Sequence, residues 1–575
     1  RARLAACATA SAVALTSLLA AAGQEGSAPP PSPVDEASED IPGAYVVDLV
    51  DTLDDGSVAG FFAELAVAFK KTALEPETRV ELVEVRPEEV GALLARLGAD
   101  ARVTDIEPLS RYRVRFVPDD PMLDEQWHLT RVGAQRAWDF STGRGVTVAV
   151  IDTGIACEDF GEFTRATDLA SSRCVAGWNF VADSPHASDD HGHGTHVAGT
   201  IAQSTDNGIG AAGLGFDARL MPVKVLSAEG WGTTAAIADG IRWAAAHGAE
   251  VLNLSLGGPR KSRLLERAVA YARSRGAVVV AAAGNSGRAV EYPGGTEGVV
   301  GVAASDSNDA LARFSSRGEG VDIGAPGVDV LQQTICNRGR DRCERFPAMS
   351  GTSMASPHVA AAAALLVSVG VTDPDAVEAT LARTARTVES DGFGAGLLDA
   401  SAALESVVFR QTLVRVLALV GALVLAFRWA RKRDGTALLR SPRLWLAALL
   451  SGPGLLFLVP LVGSRHHDAV DMLARPIGDW DLLLDARSHA YLPLANVLLP
   501  LGLTFLLLRV RGAVAPIVGL CLGTAAYLVS VAVLGQVAAP YGRLATVGWS
   551  VANALGCLLL ARLLLRDERG WRKHG

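Results

Sequence analysis

Residues 350–370 have the sequence SGTSMASPHVAAAAALLVSVG, a short glycine-containing turn that leads directly into an alanine-rich segment. The pattern predicts a helix, and Ser353 stands where this helix would begin. Because the first N–H groups of a helix lack partners within it, and because the helix dipole is positive at this end, developing negative charge is favoured there. A serine at that point is suited to attack on a carbonyl group, although taken alone it is also an ordinary N-cap residue.

Two upstream stretches favour a nucleophilic role for Ser353 over the role of an ordinary N-cap residue. Residues 145–154, GVTVAVIDTG, form a β-branched apolar run, which predicts a buried strand with Asp152 at its C-terminal end. Open α/β sheets place their chemistry at that end of their strands. Residues 189–203, DDHGHGTHVAGTIAQ, place His193 at the start of a helix of small residues. The acids and histidines around His193 also fit metal ligation or plain solvation, but no HExxH spacing is present to support zinc.

Aspartate, histidine and serine thus occur in one of the known chain orders of a catalytic triad. The motifs DTG, HGTHVAGT and GTSMASP, which begin at Asp152, His193 and Gly351, resemble those of the subtilisin-like serine proteases, or subtilases. DTG alone would equally suggest an aspartic protease, but the sequence contains no second DTG-like aspartate. The resemblance implies that Ser353 is the nucleophile, that His193 is its general base and that Asp152 orients the imidazole.

The resemblance also supplies the group that would stabilise the tetrahedral intermediate. Asn285, which ends the stretch AAAGN, matches the family's oxyanion-hole asparagine, with the backbone N–H of Ser353 as its companion donor. Taken alone, Asn285 is also a typical turn residue before Gly287. No cofactor is expected to take part in catalysis.

Two short stretches are expected to bind the substrate. LSLGG resembles the family's strand that pairs with an extended peptide, so that Ser255, Leu256 and Gly257 would supply backbone hydrogen bonds. The opposite wall of the pocket is expected to include Gly284. Glu291 falls where the family's pocket floor is often small or neutral, and we hypothesise that it biases the pocket toward Arg or Lys. A solvated loop glutamate is the alternative.

A structural calcium site is a further expectation from the resemblance. In STDNGIGAAG, Asp206 and Asn207 resemble the family's calcium loop, with Asp120 and Asp168 as candidate oxygen ligands from elsewhere. Hard oxygen donors gathered on loops suit Ca²⁺. Ordinary surface acids are the alternative.

The cysteines of the protease region are expected to form disulfides if that region lies outside the membrane. Four cysteines allow three pairings, of which the local ones close short loops: Cys157 with Cys174, and Cys336 with Cys343. None of them lies in a recognised catalytic motif.

Composition separates the chain into two chemically different parts. The 575 residues are too many for one hydrophobic core, so several domains are expected, and 49% of the residues are hydrophobic, a high share for a wholly soluble protein. Residues 412–575 carry 18 Lys and Arg against 8 Asp and Glu, whereas the preceding residues carry 35 against 54. An acidic N-terminal part and a basic, apolar C-terminal part indicate a secreted-type domain joined to a membrane module. They argue against nucleic-acid binding.

The first part of the chain is expected to contain three segments. Residues 1–23 have the layout of a signal peptide, with two arginines, an apolar run and small residues at its end. Residues 24–43 are rich in Pro, Ser, Ala and acids, which is typical of a disordered linker. Residues 44–118 alternate strand-like and helix-like stretches and resemble the small α+β propeptide of subtilases. The chain's own propeptide would then act as an intramolecular inhibitor.

Residues 119–406 are expected to form the catalytic domain. Apolar strand patterns alternate there with helical patterns, as in AEVLNLSLGG followed by RKSRLLERAVAYARSRG. Repeated βαβ units with apolar strands imply a parallel sheet that is covered by helices on both faces. The pattern therefore indicates an α/β fold, in agreement with the subtilisin-like fold that the resemblance implies.

Residues 407–575 are expected to form an all-α membrane module of no family that we recognise. Its apolar stretches approach the length needed to cross a bilayer, and there are five of them: about 413–427, 444–463, 491–508, 513–535 and 544–565. The loops at 428–435, 509–512 and 566–575 are basic, whereas the loop at 464–490 is net acidic. The positive-inside rule then predicts a multi-pass cell-membrane protein with a cytoplasmic C-terminus and an extracytoplasmic protease.

Together these features predict a membrane-anchored serine endopeptidase that is made as a zymogen and hydrolyses peptide bonds through an acyl-enzyme. Its expected partners are a polypeptide substrate, its own propeptide and the lipid bilayer. The alternative is a membrane receptor or transport component whose protease-like domain binds peptides without cleaving them.

Overall fold

The computed structural model describes most of the chain, in the following ranges: residues 40–71, 79–110, 116–335, 346–388, 390–431, 436–459, 468–490, 498–507, 510, 512–538 and 541–566. The predicted signal peptide at 1–23, most of the predicted linker and the predicted Cys336–Cys343 pair lie outside the described residues. The chain divides into two compact units, an N-terminal unit, Arg1–Arg113, and a C-terminal unit, Val114–Gly575.

The N-terminal unit is a small α+β domain. Its antiparallel sheet has the order β2-β3-β1-β4, formed by β1 Asp40–Leu49, β2 Phe69–Lys71, β3 Val80–Glu84 and β4 Val103–Ser110. Two helices, α1 Asp55–Leu65 and α2 Val90–Leu97, pack on this sheet. Its small core brings Val47 and Val83 of the strands against Phe61 and Phe62 of α1 and Leu97 of α2. The α+β class expected for residues 44–118 is therefore confirmed.

The C-terminal unit is built around a parallel sheet of eight strands, as the alternating pattern predicted. The order is β12-β11-β10-β9-β5-β8-β6, with β7 also paired to β8. The strands are β5 Thr147–Asp152, β6 Arg173–Cys174, β7 Trp178–Asn179, β8 Arg219–Lys224, β9 Val251–Leu254, β10 Val278–Ala282, β11 Val300–Ser305 and β12 Ile323–Pro326. Every residue of β5 is buried, as expected for a central strand that is covered on both faces.

Helices cover both faces of this sheet. The helices of this region are α3 Trp127–Arg131, α4 Ala134–Trp138, α5 His193–Ala202, α6 Thr234–Ala246, α7 Arg263–Ser274, α8 Thr352–Ser368 and α9 Pro374–Thr384. Because successive residues of a strand point to opposite faces, Val148 and Val150 join the core that contains α5 and α8, whereas Ala149 and Ile151 join the core that contains α6 and α7. A short antiparallel pair, β13 Val330–Leu331 and β14 Ala348–Met349, precedes α8.

The remaining helices form the expected apolar bundle: α10 Ala400–Arg431, α11 Pro442–Ser451, α12 Asp468–Ala474, α13 Leu498–Leu507, α14 Val514–Leu534 and α15 Arg543–Arg566. Among the described residues, α10, α14 and α15 are long and apolar enough to cross a membrane. The predicted span at 444–463 overlaps the ten-residue helix α11, which begins at Pro442, and the predicted span at 491–508 contains the ten-residue helix α13. Part of each span lies outside the described residues.

The bundle is continuous with the catalytic region. Ala400, Ala403 and Leu404, in the first turns of helix α10, are buried in the same core as α8. Because α10 extends from Ala400 to Arg431, the predicted boundary between residues 406 and 407 lies inside this helix. Leu482 and Ala486, from the predicted loop between two membrane spans, are also buried in that core. The start of α10 and the loop that carries Leu482 therefore belong to the core of the catalytic region, whereas the membrane helices have a core of their own.

Candidate active site

The C-terminal end of β5 places an aspartate against a histidine. Asp152 is the last residue of β5 and is fully buried. Its Oδ1 lies 2.8 Å from Nδ1 of His193, the first residue of α5. The N–H of Thr153 donates to the same oxygen at 2.7 Å. The contact fixes the imidazole so that its other nitrogen is left for a proton transfer.

A second buried carboxylate, from Asp189, shapes the turn that carries His193. Its Oδ1 accepts from the N–H of Gly192 at 2.9 Å and from the hydroxyl of Thr153 at 2.9 Å. Its Oδ2 accepts from the N–H and the hydroxyl of Thr195, at 2.9 and 2.6 Å. The sequence alone left the acids of this stretch as solvated groups or metal ligands. The structure instead shows Asp189 tying the start of α5 to the residue that follows Asp152.

The electrostatics of His193 follow from these neighbours. Burial lowers the pKa of its imidazole, but the negative charge and the hydrogen bond of Asp152 outweigh burial and raise that pKa above its ordinary value. An imidazole whose protonated form is stabilised by a neighbouring carboxylate is suited to accept a proton as a general base.

Ser353 lies in the first turn of α8, as predicted. Its Oγ donates to the carbonyl oxygen of Ser255 at 3.1 Å, and the hydroxyl of Ser255 donates to the carbonyl of Ser353 at 2.7 Å. In the part of the chain that the structure describes, no hydrogen bond joins Ser353 Oγ to His193. The structure thus brings Asp152 and His193 into contact. The hydroxyl of Ser353 is hydrogen-bonded to Ser255, in the stretch after β9, and not to the imidazole.

Asn285 follows β10 and faces the turn before Ser353. Its Oδ1 accepts from the N–H and the hydroxyl of Thr352, at 2.8 and 2.9 Å. These two donors orient the amide so that its NH₂ group lies toward Gly351, where an added methyl group would be 3.5 Å from Nδ2. An amide held with its donor side open is the arrangement that oxyanion stabilisation requires. Thr352 was not among the predicted site residues, although it lies inside the motif GTSMASP.

The two predicted walls of the substrate pocket lie on either side of Glu291. A methyl group on Gly257 would come within 2.8 Å of its Oε2, and one on Gly284 within 2.5 Å of its Cδ. Gly284 has a φ of +106° and donates its N–H to the hydroxyl of Thr352 at 3.1 Å. The strand end that includes Ser255 and Leu256 continues to Gly258, which pairs with the residue after Glu291. Glu291 therefore lies between the two stretches that were predicted to bind the substrate.

A buried lysine that the sequence analysis did not single out supports this corner of the site. Lys224, the last residue of β8, is 3% exposed, and its Nζ donates to the carbonyls of Thr153 and Leu226 at 2.6 and 2.9 Å. It also pairs with Asp190 at 2.6 Å. The sequence did contain a signal for this role, since a lysine at the end of an apolar strand is expected to be buried. A buried cation needs a fixed partner.

The four predicted calcium ligands come together in one cluster. The N–H of Asp206 donates to Asp120 Oδ2 at 2.9 Å, and the side-chain amide of Asn207 donates to Asp168 Oδ1 at 2.8 Å. Burial raises the pKa of Asp168 to about 6, so a cation would compensate a charge that burial disfavours. Among the described residues, however, no three Asp, Glu, His or Cys side chains lie close enough to hold a metal ion. The oxygen donors fit Ca²⁺ in kind, and a complete site would need main-chain or water oxygens in addition.

Cys157 and Cys174 are joined by a disulfide, which agrees with one of the two predicted local pairings. The bond links the loop after Asp152 to β6, at the edge of the sheet.

Comparison with known proteins finds several that are similar to the central part of this chain. The model of the subtilase family of peptidases matches residues 143–397. An extracellular protease of Xanthomonas campestris pv. campestris is 36% identical over 390 residues, which cover 59% of this chain and 65% of that protein. An alkaline protease of Alkalihalobacillus alcalophilus is 40% identical over 56% of this chain and 78% of its own length. Thermitase of Thermoactinomyces vulgaris is 38% identical over 48% of this chain and 94% of its own length.

Proposed function

Because the chain belongs to the subtilase family of serine proteases, we propose that it is a membrane-anchored, extracytoplasmic endopeptidase that is made as a zymogen. The observation that carries the proposal is the 2.8 Å contact between buried Asp152 and His193, together with the position of Ser353 in the first turn of α8. The alternative, a domain that binds peptides without cleaving them, would not explain the buried Asp152–His193 pair or the oriented amide of Asn285.

The proposed reaction assigns one step to each group. His193 accepts the proton of Ser353 Oγ as this oxygen attacks the carbonyl carbon of the scissile bond. The oxyanion of the tetrahedral intermediate accepts hydrogen bonds from Asn285 Nδ2 and from the N–H of Ser353. His193 then gives the proton to the leaving amine, so that the C–N bond breaks and an ester to Ser353 remains. Water, activated by His193, hydrolyses this ester and regenerates the serine.

Before the first step, the hydroxyl of Ser353 must exchange its bond to Ser255 for one to His193. Rotation about the Cα–Cβ bond of a serine is a small motion, and hydrogen bonds of catalytic groups commonly tighten only when substrate binds. An extended peptide that pairs with residues 254–258 would arrive next to the carbonyl of Ser255. We infer that substrate binding favours the productive position of the hydroxyl.

The proposed orientation in the membrane rests on which helix ends lie with the protease. The first turns of α10 belong to the protease core, and the residues between α14 and α15 bond to it through Gln536, whose carbonyl accepts from the N–H of Thr372 at 2.8 Å. The other ends of these helices, at Arg431 and Arg566, are basic. The positive-inside rule therefore supports a cytoplasmic C-terminus and an extracytoplasmic protease.

The same reasoning supports five crossings. Leu482 lies in the protease core, so the chain must return to the protease side between the end of α10 and this residue. It must cross again before α14 and twice more through α14 and α15. Helix α11 packs closely on α14, where a methyl group on Gly519 would come within 2.1 Å of the carbonyl of Leu444. Such close approach through small residues is typical of helices packed inside a membrane.

The N-terminal unit is proposed to be the inhibitory propeptide. It has its own sheet and core and directly precedes the catalytic domain along the chain. A mature protein that lacks this unit and is more active than the full chain would support the proposal. Calcium binding at Asp120, Asp168, Asp206 and Asn207 is proposed on the donor chemistry, and a lower melting temperature in a calcium chelator than in calcium would support it.

A serine-directed fluorophosphonate tests the central proposal. The purified chain should be labelled at Ser353 and should cleave peptides, whereas Ser353→Ala should do neither. A folded, mature chain that neither reacts nor cleaves would contradict the proposal and favour the binding-only alternative.

A further inference from the structure

A groove of about 510 Å³ opens where the protease meets the bundle, away from the triad. Its walls come from the protease, from the loop that carries Leu482 and from the residues between α14 and α15. Its volume lies in the range of small-molecule sites. The lining side chains that carry the argument are Glu250, Arg275, Asp373, Arg487, Tyr541 and Arg543.

The groove lies at one end of two membrane helices. Helix α14 ends at Leu534 and α15 begins at Arg543. Tyr541 is 70% exposed and Leu544 is 90% exposed, at the start of α15. An exposed aromatic residue and an exposed apolar residue at the end of a membrane helix are typical of the boundary between lipid tails and headgroups. The open side of the groove therefore lies at headgroup level.

Among the described residues, three arginines of the groove form no ion pair with a carboxylate, although Asp373 lies near enough to Arg543 to feel its charge. Arg275 and Arg543 are exposed, and Arg487 makes one bond at 3.4 Å, to the carbonyl of Ala246. Within the described ranges, no carboxylate lies in ion-pair contact with any of the three. By contrast, Arg273 in the same groove is held by the carboxylates of Asp375 and Glu378. Guanidinium groups without such partners are suited to bind phosphate oxygens.

A buried carboxylate lines the same groove. Glu250 is 7% exposed, and its Oε2 accepts from the N–H of Thr147 at 2.7 Å. Its Oε1 is buried and has no hydrogen-bond partner among the described residues. Burial also raises the pKa of Glu250 to about 7. A buried acceptor without a donor is energetically unfavourable, so a ligand that brings a cationic N–H donor would relieve this cost.

We propose that this groove binds the zwitterionic headgroup of a phosphoethanolamine lipid, with its phosphodiester on Arg275, Arg487 and Arg543 and its ammonium group at Glu250. An anionic lipid would satisfy the arginines and leave Glu250 without a donor. The inference rests on the membrane location in the proposed function, but not on the catalytic mechanism. Because the groove joins protease and bundle, a bound lipid stabilises the junction between them.

The experiment uses the full chain with Ser353→Ala, which prevents self-cleavage, purified in a lipid-free detergent. Thermal unfolding and native mass spectrometry are recorded with phosphatidylethanolamine, with phosphatidylglycerol, with soluble phosphoethanolamine and with inorganic phosphate. The expected result is that phosphatidylethanolamine binds most tightly and raises the melting temperature most. Equal effects of phosphatidylglycerol, or of phosphate alone, would overturn the proposal.

Two variants test the two halves of the site. The double change Arg487→Gln and Arg543→Gln should weaken binding of phosphatidylethanolamine about tenfold or more, since charge-assisted hydrogen bonds are lost. Glu250→Gln keeps an acceptor for Thr147 and should remove the preference for phosphatidylethanolamine over phosphatidylglycerol. Arg267→Gln, an exposed arginine of α7 outside the groove, should change nothing. Unchanged binding in both groove variants would overturn the proposal.

The same groove variants, made with Ser353 intact, separate this inference from the proposed function. Each should remain in the membrane fraction and should react with a fluorophosphonate as the unmodified chain does, which also shows that it is folded. If the unmodified chain were not membrane-bound or not labelled, the proposed function would fail, whatever the lipid measurements show.

Discussion

The carbonyl oxygen of Leu482 lies so close to Gly145 that a methyl group on Gly145 would come within 1.8 Å of it. Gly145 has a φ of +86° and leads into β5, the strand that ends at Asp152. The N–H of Ala486 donates to the carbonyl of Gly145 at 3.1 Å. A loop between two predicted membrane spans is thus packed against the strand that ends in Asp152.

Removing the side chain of Leu482 is expected to destabilise the protease. The side chain is fully buried, and Leu→Ala changes at such sites cost about 2–5 kcal/mol of unfolding free energy. Leu482→Ala should therefore lower the midpoint of thermal or denaturant unfolding, followed by loss of fluorophosphonate labelling. Leu484→Ala is the matched control, because Leu484 is 78% exposed. Equal stability of the two variants would contradict the packing of Leu482 in the protease core.

Truncation after Gln411 is expected to damage the protease and not merely release it from the membrane. The deletion removes Leu482 and Ala486 from the core, and it removes Arg475, which donates to the carbonyl of Ser368 at the end of α8. The truncated chain should label poorly with a fluorophosphonate and should bind a dye for exposed apolar surface. A soluble, fully labelled truncation product would show that the bundle is only an anchor.

These contacts mark the limit of what the sequence could predict. The parallel sheet and the positions of Asp152, His193 and Ser353 follow from local patterns, since strand and helix periods and short motifs are properties of neighbouring residues. The burial of Leu482 depends on a partner that is distant along the chain, and its own segment has the composition of an acidic loop. The tasks of Asp189 and Lys224 were missed for the same reason, because each is defined by hydrogen bonds to residues of other elements.

The pH dependence of activity should reveal the contact between Asp152 and His193. Only the neutral imidazole accepts the proton of Ser353, so kcat/KM should rise with pH through the pKa of His193, which Asp152 raises. Asp152→Asn removes the charge, so the acidic limb of the profile should move to lower pH. The same change should reduce kcat by about 10⁴, since the histidine loses its correct tautomer.

Asp124→Asn, a change at an exposed aspartate outside the site, is the control for this profile. This variant should change neither the position of the acidic limb of the pH profile nor the value of kcat. An acidic limb that stays in place in Asp152→Asn would show that a group other than His193 titrates.

Asn285→Ala is expected to lower kcat with little change in KM. The amide of Asn285 is oriented by Thr352 so that its NH₂ group is free to donate, and such a donor acts mainly on the charge that forms in the transition state. The loss should be about a hundred- to a thousandfold, the size found for such a donor in subtilisin itself. Steady-state kinetics on a peptide ester or amide would measure it, with Asn308→Ala as an exposed control. A rise in KM at constant kcat would instead indicate a role in substrate binding.

Glu291 is expected to decide which side chain precedes the cleaved bond. Its carboxylate lies between Gly257 and Gly284, the two walls of the pocket, and a lysine or arginine of the substrate would meet it there. A hydrogen bond to a charged group in such a position contributes about 1.5–3 kcal/mol, so the preference for Arg over Leu should be about ten- to a hundredfold.

Glu291→Gln keeps the shape of the side chain and removes its charge, and it should therefore reduce that preference toward unity. Values of kcat/KM for a matched pair of peptides with Arg or Leu before the scissile bond would measure the change. Glu297→Gln, at an exposed glutamate in the same loop, should retain the preference of the unmodified enzyme. Equal cleavage after Leu and Arg by the unmodified enzyme would leave Glu291 as a wall of the pocket that does not select by charge.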